Sequence, residues 1–433
     1  MTKHTNESLK EHLSNCAPII LFSALTGVLS GILIVLFSFA AEFLSHSSRD
    51  LYILVMEHPA FIPLLFVALI ILAFISYGII KFLPEARGTG LTADEARERA
   101  LSPISWWRTM IGTILGSFVS FFSGLSLGVE GPATALGASI SGGVSKLYKS
   151  KKAGEKKING IKELTAVAGF SSAIASAFSA PISGIIFTLE ELDKKFNPYV
   201  LLASCSSVIT SIATSIGLRT LLGMDMPLLA LDIAPLPLSH YWSLLLLGLT
   251  CGLGAVAFSK ALGIINELAF VKKIPLAVKL VVAYILTGIA GLFLVDAIGS
   301  GTSLLNSLVR FDFKWWLLLI ILVIKVILTI IAKGSESIGG LLLPTIAIGA
   351  LIGALFGKAF LQMGVAEEYY ISFILIGLSA FLGATLRTPI TAVMLAIEIT
   401  ASASNGLAIA LATLIAFVIS ELFDKRPKTE ELL

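Results

Sequence analysis

Glu130 lies in "GLSLGVEGPATALG" (124 to 137), a stretch with no other charged residue. Gly128 and Gly131 permit backbone angles closed to other residues, and Pro132 suits the first turn of a helix, where its missing N–H costs nothing. The pattern predicts a loop opening a helix near Pro132, with free amides from about Gly131 onward aimed at one point with partial positive charge. Such a point attracts anions. Glu130, itself an anion, can hold the place of a small one and vacate it when protonated; the alternative is a structural cap. A carboxylate kept in apolar surroundings is costly and reads first as functional, proton relays above all.

Two more acids, Glu190 and Glu191, end the apolar run of "SAPISGIIFTLEEL" (179 to 192), with Lys194 and Lys195 close behind. They read either as a proton-entrance pair or as solvated acids at a helix end, and the residues leave both open. Glu398 is expected to be structural, paired with Arg387 or Lys325. Lys325 interrupts "LLLIILVIKVILTII" and must find a partner or stretch to polar ground.

The elements that hold these residues must be membrane helices. Hydrophobic residues make up 56% of the 433 and charged ones 14%, against about a quarter charged in soluble chains. Apolar runs recur from residues 17 to 44, through 61 to 80, to 405 to 423, each near the roughly 20 residues a spanning helix needs. Backbone groups in lipid must be satisfied within the segment, so the expected class is all-α and polytopic. The loop "KLYKSKKAGEKKINGIKE" (146 to 163) holds seven lysines against two glutamates, whereas 224 to 242 and 361 to 370 contain no Lys or Arg. The positive-inside rule puts the lysine loop and both termini in the cytoplasm. Beside apolar spans, that loop reads as a membrane flank and not as a nucleic-acid contact. The expected organisation is a cytoplasmic segment (1 to 16), one membrane domain (17 to 423) and a short cytoplasmic tail (424 to 433) too small for a regulatory domain.

That membrane domain is internally repeated, with halves of about 17 to 222 and 240 to 423. Pro181 and Glu190 map onto Pro389 and Glu398 at a shift of 208 residues, and "GVEGPATALG" onto "GLLLPTIAIG" (340 to 349) at 212. "GTG" (88 to 90) finds "GSGT" (299 to 302) at a shift of 211. Duplicated halves whose helices are broken by Gly and Pro meet at a binding site near the midplane in many transporters and related channels. Spacing alone leaves parallel and inverted repeats open.

Together, "PEARGTGL", "GVEGP", "GFSSAIASAFSAPISGIIFTLEEL", "GGLLLP" and "LRTPITAVMLAIEIT" resemble, in order, the signatures of the CLC family of chloride channels and proton-coupled chloride transporters. The likeness spans about residues 17 to 428. It implies an inverted-repeat fold, a homodimer with one pore per subunit, no cofactor, and a place in the bacterial inner (plasma) membrane. By the same resemblance Glu130 is the external gating glutamate, and Glu191, with Glu190 beside it, the internal proton-transfer glutamate. Thr89 and Gly90 stand where the family contacts its anion through a serine, and Gly131, Leu341 and Leu342 supply backbone donors. Three departures stand out: Thr92 replaces a proline, "LLL" replaces an aromatic signature, and the inner-gate tyrosine has no match, Lys428 or Thr429 standing near its place.

Two functions follow. One is an antiporter exchanging chloride or another small anion for protons; the other is a passive anion channel of the same fold. An intramembrane enzyme would need a catalytic set at membrane depth, and the sequence holds no HExxH. The cysteines Cys16, Cys205 and Cys251 have no metal-ligand spacing and read as packing residues. A cation-coupled carrier would need acidic or carbonyl-rich cation sites that the sequence does not display.

Overall fold

A computed structural model of the chain describes residues 2–87, 105–147, 155–193, 197–223, 233–267, 273–310 and 313–423. The first half comprises α1 (Thr2–Glu57), α2 (Ile62–Phe82), α3 (Trp106–Phe122), α4 (Glu130–Ser145), α5 (Glu155–Phe178), α6 (Pro181–Thr188) and α7 (Pro198–Leu222). The second comprises α8 (Trp242–Glu267), α9 (Leu276–Phe293), α10 (Thr302–Arg310), α11 (Trp315–Gly334), α12 (Leu342–Gln362), α13 (Tyr370–Leu386), α14 (Pro389–Thr400) and α15 (Gly406–Phe423). Among the described residues, nine helices are long and apolar enough to cross a membrane. α1 continues through residue 16, so the boundary expected there is not a break in the helix.

Outward faces are apolar. On α11, Trp315, Leu319, Val323 and Ile327 form an exposed stripe at every fourth residue, while Leu318, Ile321, Lys325 and Leu328 turn inward. An apolar stripe on the outside of a bundle fits lipid as its solvent.

Several helices cover only part of the bilayer. α6 has 8 residues and α14 has 12, or about 12 and 18 Å at 1.5 Å per residue, against roughly 30 Å of hydrocarbon. Both open on a proline whose predecessor is non-helical, Ala180 (φ −122°, ψ 83°) and Thr388 (φ −122°, ψ 71°). That start costs no hydrogen bond. α7 is bounded by local chemistry: Asn197 accepts from the Tyr199 N–H at 3.0 Å at its start, and Gly223, at φ 67°, ends it in the left-handed region.

The halves repeat each other in packing as well as in sequence. A Cβ on Gly137 of α4 would collide with the Gly169 carbonyl of α5, and one on Gly169 with the Gly137 carbonyl. Gly349 of α12 and Gly377 of α13 stand in the same mutual relation. Small residues let such backbones approach where no hydrophobic force draws helices together.

The repeat is inverted. α4 runs from the centre toward the lysine-rich loop, and α12 runs from the same centre toward residues 361 to 370, which lack Lys and Arg. The two helices therefore point to opposite sides of the membrane from a shared starting point. α4 begins at Glu130, two residues before Pro132, so the glutamate is in the first turn and not in the preceding loop.

Candidate functional site

At that starting point the loops entering α4 and α12 exchange backbone bonds: Gly128 N–H donates to Gly340 O at 2.8 Å, and Gly340 N–H to Gly128 O at 2.7 Å. The two helix starts are thus held side by side. Across the same junction the Ser126 and Thr329 hydroxyls share a hydrogen bond of 2.9 Å.

Glu130 occupies the space between the two starts and is 4% exposed. Its Oε1 accepts from the Leu342 N–H at 2.5 Å and the Leu343 N–H at 3.2 Å. Its Oε2 is buried without a hydrogen-bond partner. The carboxylate of one half therefore fills the anion-attracting helix start of the other. Glycine is required on both sides: a Cβ at Gly128 or at Gly340 would collide with the Glu130 carboxylate, and one at Gly340 would also lie 2.5 Å from the Gly131 nitrogen. Gly340→Ala is expected to cost about 1–3 kcal/mol through overpacking. Gly78→Ala, in open space within α2, should be neutral or stabilising; thermal unfolding in detergent compares the two.

Of the residues expected here, Glu130, Gly131 and Leu342 lie together at the two helix starts. Leu341 does not donate to the carboxylate. It precedes the first turn of α12, and the donors are Leu342 and Leu343, one residue further on. Leu343 was missed because the first free amide depends on where the helix begins. Thr89, Gly90, Lys428 and Thr429 lie outside the described residues.

Glu190 does something other than face solvent. Its carboxylate accepts from Ile390 N–H at 3.0 Å, Thr391 N–H at 2.8 Å and the Thr391 hydroxyl at 2.5 Å, capping the start of α14. Glu398 reciprocates on α6, accepting from Ile182 N–H at 2.8 Å, Ser183 N–H at 2.7 Å and the Ser183 hydroxyl at 2.5 Å. The expectation that Glu398 pairs with Arg387 or Lys325 is therefore corrected. A short helix start offers two free amides and a hydroxyl converging on one carboxylate, which neither cation matches from its own position. Arg387 pairs instead with Glu421 at 3.1 Å, and Lys325, fully buried, donates to Gly299 O at 2.5 Å. Glu191 sits beside Glu190 in a wide turn of π-helix, Leu189–Asp193, and is half-buried.

On the side of the membrane where α11 ends, Glu336 accepts from Arg87 and, at 3.0 Å, from Lys279. This ties the segment that leads into "GTGL" to the second half. Burial raises the Glu336 carboxyl, but the bonds and charges of Arg87 and Lys279 outweigh it and hold it below the usual carboxylate range. The tie is complete at neutral pH and is lost as pH falls through that depressed value.

Two inverted halves aiming broken helices at one buried carboxylate define a polytopic membrane protein of the ion-transporting kind. The family model described as voltage gated chloride channel matches residues 71–421, and the chain belongs to that family. The H(+)/Cl(-) exchange transporter ClcA of Vibrio vulnificus (strain YJ016) is 29% identical over 434 residues, covering 98% of this chain and 90% of that protein. The ClcA of Salmonella paratyphi B is 26% identical over 427 residues, covering 96% of this chain and 88% of that protein. The fold is shared with a slow cyanobacterial Cl-/H+ antiporter (TM-score 0.84, 21% identity, 96% of this chain and 97% of that one). It is also shared with a CLC-type fluoride/proton antiporter (TM-score 0.73, 21% identity, 94% of this chain and 96% of that one).

Proposed function

We propose that this protein exchanges chloride, or another small anion, for protons across the bacterial inner membrane, as a homodimer with one pathway per subunit and both termini in the cytoplasm. The observation that carries this reading is the Glu130 carboxylate seated on the Leu342 and Leu343 amides. These neutral donors stabilise an anion without adding a full positive charge of their own. When an anion takes the seat the carboxylate must leave it, and a proton neutralises the displaced group, so the two movements share one position. Thr89 and Gly90 complete the inner contact in this scheme, with Lys428 or Thr429 at the inner gate. The ClcA relatives, matched over nearly the whole chain, support the exchange.

Reconstitution in liposomes tests the exchange. A chloride gradient should drive protons uphill; flux of chloride with no proton movement leaves the passive channel, the reading favoured by the unmatched inner tyrosine. Glu191 belongs to the proton route by this scheme, whereas Glu190 is a cap. Glu191→Gln should lower proton flux by about 100-fold, as for loss of a proton-transfer group, with chloride flux retained. Unchanged proton flux in that variant removes Glu191 from the route.

A further inference from the structure

A cavity of about 130 Å³ opens beside the Glu130 seat. Val129 and Leu343, the neighbours of the carboxylate and one of its amide donors, lie in its wall, and Glu42 and His46 stand exposed in its lining. It lies on the outer side. α1 and α7 run in parallel, Gly27 packing on Ser207 and Gly31 on Ser211, so Arg219 is at the opposite end of α7 from Asn197, which follows the basic Lys194 and Lys195 in sequence.

Four polar atoms of residues lining this cavity are buried without a hydrogen-bond partner: Ser38 Oγ, Ser48 Oγ, Arg49 Nη1 and Arg219 Nε. Arg219 is 8% exposed, and its Nη2 donates to the Ser176 carbonyl at 3.1 Å. Arg49 gives its Nη2 to Asp296 at 2.9 Å. All four atoms can donate, and the two guanidinium nitrogens can do nothing else. Each buried donor left unmatched is costly, and two of the four belong to guanidinium groups whose residues line this one cavity. The charges specify its sign: Asp296 balances Arg49, and Glu42, the carboxylate facing Arg219, is 58% exposed and screened by solvent. The volume is large enough for a monatomic anion with water beside it.

We propose that this cavity is a second anion-binding site, outside the Glu130 seat, where Arg219 and Arg49 hold a chloride-sized anion one step before the gate. The site supplies the seat from the outer side, so its occupancy sets how much external chloride the transporter needs. The role in supply rests on the anion-transport reading above; binding in the cavity does not.

Bromide separates the two. Crystals of the wild-type protein soaked in sodium bromide should show an anomalous peak in contact with the Arg219 guanidinium, and Arg219→Gln should lose it. In liposomes, Arg219→Gln should raise the half-saturating external chloride concentration about tenfold, the size of one lost charge-assisted hydrogen bond. Maximal flux should be retained, and Arg219→Lys should recover part of the affinity. A cavity without bromide in the wild type overturns the site, and that map needs no variant to fold. Bromide in the cavity with unchanged half-saturation in Arg219→Gln means an adventitious ion only, and overturns it too. A wild type carrying no chloride flux defeats the reading of function, and the bromide map alone then decides whether the site binds.

Discussion

Glu130→Gln is expected to abolish proton movement while chloride still crosses. Glutamine keeps the size of the side chain and one carbonyl oxygen, so it can still accept from the Leu342 and Leu343 amides. It cannot carry a proton or a charge. Proton flux should fall by about 100-fold or more, the loss seen when a proton-transfer group is removed. Glu130→Ala goes further, because it clears the seat: the two amides 2.5 and 3.2 Å from Oε1 are then open to an anion at all times. Chloride efflux should be faster in the alanine variant than in the glutamine one. A chloride electrode and an internal pH dye read both fluxes in one preparation, and substantial proton uptake by Glu130→Gln would falsify the seat-sharing scheme.

The second large effect concerns stability. Glu190→Ala and Glu398→Ala each remove three bonds to one carboxylate, leaving two amides and a hydroxyl of the opposite half without their partner. Bonds to charged groups and helix caps are worth about 1–3 kcal/mol, and partial exposure of these ends places each loss near 2. Melting of the detergent-solubilised protein should drop in both variants by similar amounts. Glu190→Gln should retain proton coupling, unlike Glu191→Gln. An unshifted melting temperature in both alanine variants would show that water replaces the caps at no cost.

How far the sequence carries depends on the range of the interaction. The repeat at shifts of 208 and 212 residues was legible because Pro and Gly mark backbone needs locally, and Glu130 because a carboxylate among them has few other uses. The donor register at Leu342 and Leu343 was not, since helix starts are uncertain by a residue or two. The caps were not legible either. Arg387 is near Glu398 in sequence and of opposite charge, while the true partners, Ile182 and Ser183, are over 200 positions away and offer backbone, which no residue type announces. Arg219 carried no signal, because an arginine ending an apolar helix reads as a membrane-surface anchor; its burial against Ser176 depends on how α5, α7 and α1 pack.

The crossed caps bear on how the molecule is put together. Each short helix finds its carboxylate only in the opposite half, so a fragment ending between α7 and α8 presents a bare helix start and a glutamate with nothing to receive. Reciprocal contact of residue i with j and of j with i is the signature of two-fold self-association. Two copies of a single half, inserted in opposite orientations, would make both contacts at once. What is now internal to one polypeptide has the form of an ancestral subunit interface, preserved after the copies were joined end to end.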